Sequence, residues 1–187
     1  MSRELLTDFG GPVEELAPLL LGMRLRTEFS PGPTEVLINE VEAYAGPRDP
    51  ASHAYRGRTP RNGSMFGAGG RLYVYRSYGV HWCMNIVTGG EGDPSAVLVR
   101  GGVPLVGEEI MIERRGHTTH IADGPGKLTQ ALGVNGDHDS TSVFEGPVVL
   151  LGEPGQRHDV VASPRIGISK AVERPWRFAL PTHAQGS

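Results

Sequence analysis

Between Ile38 and Asn85 the chain concentrates the side chains that chemistry on a nucleic-acid base requires: a carboxylate, several flat rings, a Tyr-Gly pair and a run of arginines. The segment opens Ile38-Asn39-Glu40-Val41-Glu42-Ala43-Tyr44 and continues through His53 and Gly57-Arg58-Thr59-Pro60-Arg61-Asn62. It ends Leu72-Tyr73-Val74-Tyr75-Arg76-Ser77-Tyr78-Gly79-Val80-His81-Trp82-Cys83-Met84-Asn85. A base inside a duplex hides its glycosidic bond, so an enzyme that cuts there must extrude the nucleotide and hold it in a pocket. Stacking on rings returns roughly 1–3 kcal/mol per base and offsets the lost pairing. Cleavage passes through an oxocarbenium-like sugar. One carboxylate meets both of its needs, by taking a proton from the attacking water and by facing the positive charge that develops. Singly, a strand tyrosine is ordinarily a core residue and a loop histidine is ordinarily inert.

The elements that must position them follow from periodicity. Thr34 to Tyr44 alternates as a strand, with Val36, Ile38, Glu40, Glu42 and Tyr44 on one face and Leu37, Asn39, Val41 and Ala43 on the other. Leu72 to Tyr78 and His81 to Thr88 read as a hairpin turning at Tyr78-Gly79-Val80, with Ser95 to Arg100 as its neighbour. Further strands are expected at Pro147 to Leu151 and around Arg165 to Ile168. Glu14 to Arg24 reads as a helix kinked at Pro18, Val106 to Arg115 as a helix stopped by Gly116, and Gly126 to Leu132 as one stopped by Gly133. Gly46 to Gly70 is long and irregular, which marks a working surface. The order lacks βαβ regularity. The expected fold is therefore α+β: a curved, mainly antiparallel sheet with short surrounding helices, in a single domain over residues 1–187.

With 187 residues the chain is the size of one domain, and its 27 glycines and 15 prolines are spread without period. The net charge of −3 argues against a nucleic-acid partner only until the charges are located. Arg48, Arg56, Arg58, Arg61, Arg71 and Arg76 fall in one stretch opposed by Asp49 alone, while acids gather at Glu14-Glu15, Glu108-Glu109 and Asp137/Asp139. Cys83, the only cysteine, excludes an intrachain disulfide and a cysteine-based zinc site. His117 and His120 lack a carboxylate motif, so no metal and no cofactor is expected. Met1 to Asp8 is polar, and Leu16 to Leu21 is too short for a signal core or membrane span. A cytoplasmic, monomeric protein is expected.

Read together, these residues resemble the alkyladenine (3-methyladenine) DNA glycosylase family, from about Leu21 to about Phe178. The resemblance implies a repair enzyme that flips alkylated or deaminated purines out of double-stranded DNA and hydrolyses the N-glycosidic bond. It places the catalytic glutamate in the Glu-Ala-Tyr triplet, hence at Glu42, with Glu40 as the decoy. It assigns Arg100 to holding the water and a neighbouring phosphate, Tyr44, His53 and Tyr75 to stacking around the flipped base, and Asn85 to rejecting guanine's amine. Tyr78 would intercalate into the gap left in the duplex. Arg58, Arg61, Arg76 and Lys127 are candidate contacts to the DNA backbone, Lys127 within Gly124-Pro125-Gly126-Lys127-Leu128. That motif lacks the Walker spacing and the following Ser or Thr. Lys127 and Lys170 are the only lysines, and neither sits at a position suited to Schiff-base chemistry, so a monofunctional enzyme is expected.

Two other readings compete. A non-catalytic module could use the same basic loop and aromatic hairpin to hold damaged DNA or RNA, but it would need neither Glu42 nor Asn85. A small-molecule hydrolase built on a Glu–His pair explains neither Tyr78 nor the arginines.

Overall fold

The computed structural model describes residues 11–154 and 160–181, so the polar stretch Met1 to Asp8 lies outside the described residues. Its spine is the 13-residue strand β2 (Gly32–Tyr44). Around it run β1 (Arg24–Phe29), β3 (Leu72–Ser77), β4 (His81–Val87), β5 (Ala96–Val106) and β6 (Val148–Leu151). They form one antiparallel sheet in the order β3-β4-β5-β2-β1-β6. Two short strands, β7 (Val161–Ser163) and β8 (Arg177–Ala179), pair with each other. β8 also lies along β2 at Glu40–Glu42, past the point where β1 leaves it at Leu37. Short helices complete the α+β architecture: α1 (Val13–Leu16), α2 (Glu108–Arg115) and α3 (Pro125–Leu132).

Strict alternation along β2 is broken, and the break decides where the candidate carboxylate points. Opposite β5, Ile38 pairs with Gly102, Glu40 with Gly101 and Val41 with Val99, which leaves Asn39 and then Arg100 without an opposing residue. Each is an extra residue of the bulge kind, which bends a strand and re-aims its side chains. Val36 and Ile38 lie in the core with Val41 and Ala43. The inward face thus passes from even to odd numbers at the bulge, correcting the expected grouping of Val36 and Ile38 with Glu42. Glu42 and Tyr44 still share a side, now the side away from that core.

Glycine makes this crossing of β2 and β5 possible. A Cβ at Gly101 would lie 2.6 Å from Asn39 Oδ1, and one at Gly102 would lie 2.8 Å from the buried Val36 Cγ2.

Two local expectations change. The N-terminal helix is shorter and divided: α1 ends at Leu16, a 3-10 turn covers Ala17–Leu20, and the left-handed Gly22 turns the chain into β1. Proline restricts the residue before it and removes a backbone donor, which favours the division at Pro18. β1, which the sequence reading did not single out, starts at Arg24, where that helix was expected to end, and points Leu25 and Thr27 inward between Arg24, Arg26 and Glu28. Arg165 to Ile168 is a loop, since the Ile166 amide donates to the Glu42 side chain instead of a neighbouring strand. The helix stops at Gly116 and Gly133 are as expected, both left-handed.

Replacing Gly102 with alanine should overpack the β2–β5 crossing and cost roughly 1–3 kcal/mol, measured as a fall in the urea midpoint with an unchanged slope.

Candidate active site

Glu42 emerges from β2 with no solvent-exposed surface and three partners for its carboxylate. Its Oε2 accepts the Tyr44 hydroxyl at 2.8 Å. Its Oε1 accepts the Ile166 amide at 2.8 Å and lies 3.3 Å from Arg100 Nη1. Arg100 owes its reach to the bulge in β5. Its Nε donates to Glu40 Oε1 at 2.6 Å, and Arg177 Nε donates to the same oxygen at 2.7 Å. Burial pushes the Glu40 carboxyl up, but the two guanidinium groups outweigh it and hold Glu40 below the usual carboxylate range. Glu40 is thus tied up by two arginines, while Glu42 takes Tyr44, Arg100 and a backbone amide.

Beside this cluster opens a cleft of about 720 Å³, lined by Tyr44, His53, Tyr73, Tyr75, Tyr78, Asn85 and Arg100 among others. That volume lies within the usual range for small-molecule sites. β3 directs Tyr73 and Tyr75 to the same side, and their rings stack at 5.3 Å. The His53 ring meets Tyr75 edge-on at 4.6 Å, and His53 Nδ1 lies 2.9 Å from the Tyr73 hydroxyl. Burial raises the phenols of Tyr44, Tyr73 and Tyr75, that of Tyr73 to about 12, so these rings stay neutral. Asn85, buried on β4, donates to the Tyr73 carbonyl at 3.0 Å and borders the cleft. Among the described residues, no three His, Cys, Asp or Glu side chains converge to hold a metal ion.

At the cleft mouth the β3–β4 hairpin lifts Tyr78 into solvent, 94% exposed. Tyr78 (φ 49°) and Gly79 (φ 70°) both adopt the left-handed conformation that primed hairpin turns require, closed by the Val80 amide on the Ser77 carbonyl. Val80 beside it is also exposed. The basic stretch clusters nearby: Arg61 covers the Tyr75 ring at 5.6 Å, Arg76 covers Trp82 at 5.4 Å and Arg58 covers Phe66 at 5.8 Å. Lys127, in the first turn of α3, is half-buried and paired with Asp123 at 2.9 Å, outside the cleft lining. Lys170 lies on the cleft wall with its loop neighbours Ile166 to Ser169.

Comparison with known proteins gives the family. The model of the methylpurine-DNA glycosylase family matches residues 7–184. The chain belongs to that family. A relative in Rhodopseudomonas palustris strain BisB18, provisionally named 3-methyladenine DNA glycosylase, is 48% identical over 174 residues, covering 92% of this chain and 84% of the relative. Proteins with the same provisional name in Corynebacterium glutamicum strain R and Streptomyces avermitilis are each 46% identical. They cover 93% and 91% of this chain, and 82% and 84% of their own lengths.

In this glycosylase-family chain, sequence reasoning missed Tyr73, Arg165, Ile166 and Arg177, along with the burial of Asp49. Tyr73 was within reach, because it is two residues from Tyr75 on one strand and must share its side. The other contacts arise only on folding, since Arg165, Ile166 and Arg177 lie more than 110 positions from their partners.

Partial burial, and then the nearby Arg61 charge, hold the His53 imidazole below its ordinary value of about 6.5. Removing a cation eases protonation, so the titration midpoint of His53 followed by NMR should lie below that value and rise in Arg61→Ala.

Proposed function

We propose that this protein is a monofunctional DNA-repair glycosylase that flips alkylated or deaminated purines from duplex DNA and hydrolyses the N-glycosidic bond, leaving an abasic site. The observation that carries this reading is the meeting of three things: the Glu42–Tyr44 pair, a ring-lined cleft and the exposed Tyr78 hairpin above it. Tyr78 enters the stack, the damaged nucleotide swings into the cleft, and Tyr44, His53 and Tyr75 sandwich the base. Neutral rings suit a base that carries positive charge after alkylation, because the cation is attracted to the ring faces. Glu42 takes the proton of the attacking water while Arg100 fixes the carboxylate's orientation and reaches toward phosphate. Arg58, Arg61, Arg76 and Lys127 contact the backbone. The enzyme acts as a monomer without cofactor.

The non-catalytic alternative has one observation on its side: Glu42 is fully covered in the unbound protein. Excision from a labelled duplex carrying one hypoxanthine separates the two readings. The enzyme reading expects strand breaks that appear only after alkali. In Glu42→Gln they should fall by about 10²- to 10⁴-fold while DNA binding persists. Wild-type protein that binds but excises neither hypoxanthine nor alkylated purines would establish the binding module. Breaks without alkali would overturn the monofunctional assignment and direct attention to Lys170.

Selectivity is assigned to Asn85. Asn85→Ala or Asn85→Ser should raise excision of guanine-derived bases relative to hypoxanthine, read as a ratio of single-turnover rates. An unchanged ratio would sink that role.

A further inference from the structure

The loop after β7 holds an arginine that the chemistry above does not use. The side chains of Arg165 and Asp49 are both without exposed surface. Arg165 Nη1 donates to Asp49 Oδ2 at 2.5 Å and to the Ala43 carbonyl at 2.8 Å, while Nη2 donates to Asp49 Oδ1 at 2.9 Å. Its guanidinium lies 4.7 Å from the centre of the Tyr44 ring and 5.3 Å from that of Trp176. The next amide along the chain, that of Ile166, grips Glu42. One side chain and the residue after it therefore touch all three members of the Glu42-Ala43-Tyr44 triplet.

We propose that Asp49 and Arg165 are positioning residues for glycosidic-bond cleavage. Their ion pair fixes the Tyr44 ring from behind and holds the Ile166 amide on Glu42, without either residue touching the base. The proposal rests on the reading of Glu42 as the catalytic carboxylate. Stability alone is a poor account of this pair, because exchanging both partners of a buried ion pair for uncharged groups of similar size is often neutral or stabilising. What an uncharged pair cannot reproduce is the planar fork, which engages a carboxylate at two points and stacks on an aromatic face. A misplacement of about 1 Å in a reacting group costs about a hundredfold in rate. Positioning of this kind therefore matters more to turnover than to folding.

Breaking the pair on one side strands a buried charge and threatens folding. The test removes both charges, in Asp49→Asn/Arg165→Met, and separately keeps the charge but loses the fork, in Arg165→Lys. Thermal denaturation reports folding, single-turnover excision of hypoxanthine reports the reacting geometry, and Kd is measured in a Glu42→Gln background so that the duplex stays intact. The double variant should melt near wild type, bind within about threefold and excise about a hundredfold more slowly, with Arg165→Lys falling between it and wild type. A folded double variant that excises within about threefold of wild type would overturn the proposal, and so would losses of rate and binding in parallel. Should the double variant fail to fold, Arg165→Lys decides by the same criteria; failure of both to fold also overturns it, since the pair is then a determinant of the fold. The parent proteins test the underlying reading on their own: excision retained by Glu42→Gln alone strikes Glu42 and leaves the variants' data to stand apart.

Discussion

A long central strand cannot keep one parity of side chains in the core along its whole length and also turn a carboxylate and tyrosine of that parity away from it. β2 meets this constraint by admitting an extra residue at Asn39, after which the core is served by Val41 and Ala43 while Glu42 and Tyr44 face outward from it. The partner strand gives way in kind. Arg100 is its extra residue, and Gly101 and Gly102 lie where side chains would collide with Asn39 and Val36. The irregular ladder places arginine and glutamate side by side, so the fold's least regular pairing and its densest chemistry coincide.

Charge follows from this arrangement. Glu40 is matched by Arg100 and Arg177, and Asp49 by Arg165 with Arg174 3.9 Å away. Asp49 shows the competition clearly: burial pushes its carboxyl up, and the Arg165 fork with the Ala51 and Ala45 amides brings it below the ordinary carboxylate range. The one acid that interrupts the arginine-rich stretch in sequence is therefore already neutralised inside the protein. Arg56, Arg58, Arg61, Arg71 and Arg76 stay exposed. A net charge of −3 is thus compatible with a locally basic face.

Local pattern made much of this legible. The β3–β4 hairpin, the tyrosine at its apex, the two glycine-stopped helices and the common side of Glu42 and Tyr44 all follow from neighbours within a few residues. The family resemblance added roles that periodicity could not supply, and the match over residues 7–184 bears out the family. What stayed hidden was long-range or parity-breaking. An extra residue in a strand has no composition of its own, so the regrouping of Val36 and Ile38 with Val41 could not be read from β2 alone. Arg165 looked like part of a strand because its sequence partner is not in its neighbourhood; Asp49 lies 116 positions away. Membrane association was judged from hydropathy, and no helix among the described residues is long and apolar enough to cross a bilayer.

The apex of the β3–β4 hairpin bears on the proposed role of Tyr78 as a wedge. Tyr78 holds a left-handed backbone that costs a non-glycine residue roughly 1–3 kcal/mol, and a hydrogen-bonded turn on two paired strands keeps it there. That expense is met when the protein folds, not when it meets DNA. Under the proposed intercalation, a wedge already formed in the free protein would lose little conformational entropy on contact, so each encounter with a duplex would present the same rigid probe. On that reading, search would depend on how long the basic face lingers at a base step and how readily that step unstacks, and weakly stacked, damaged sites would yield first.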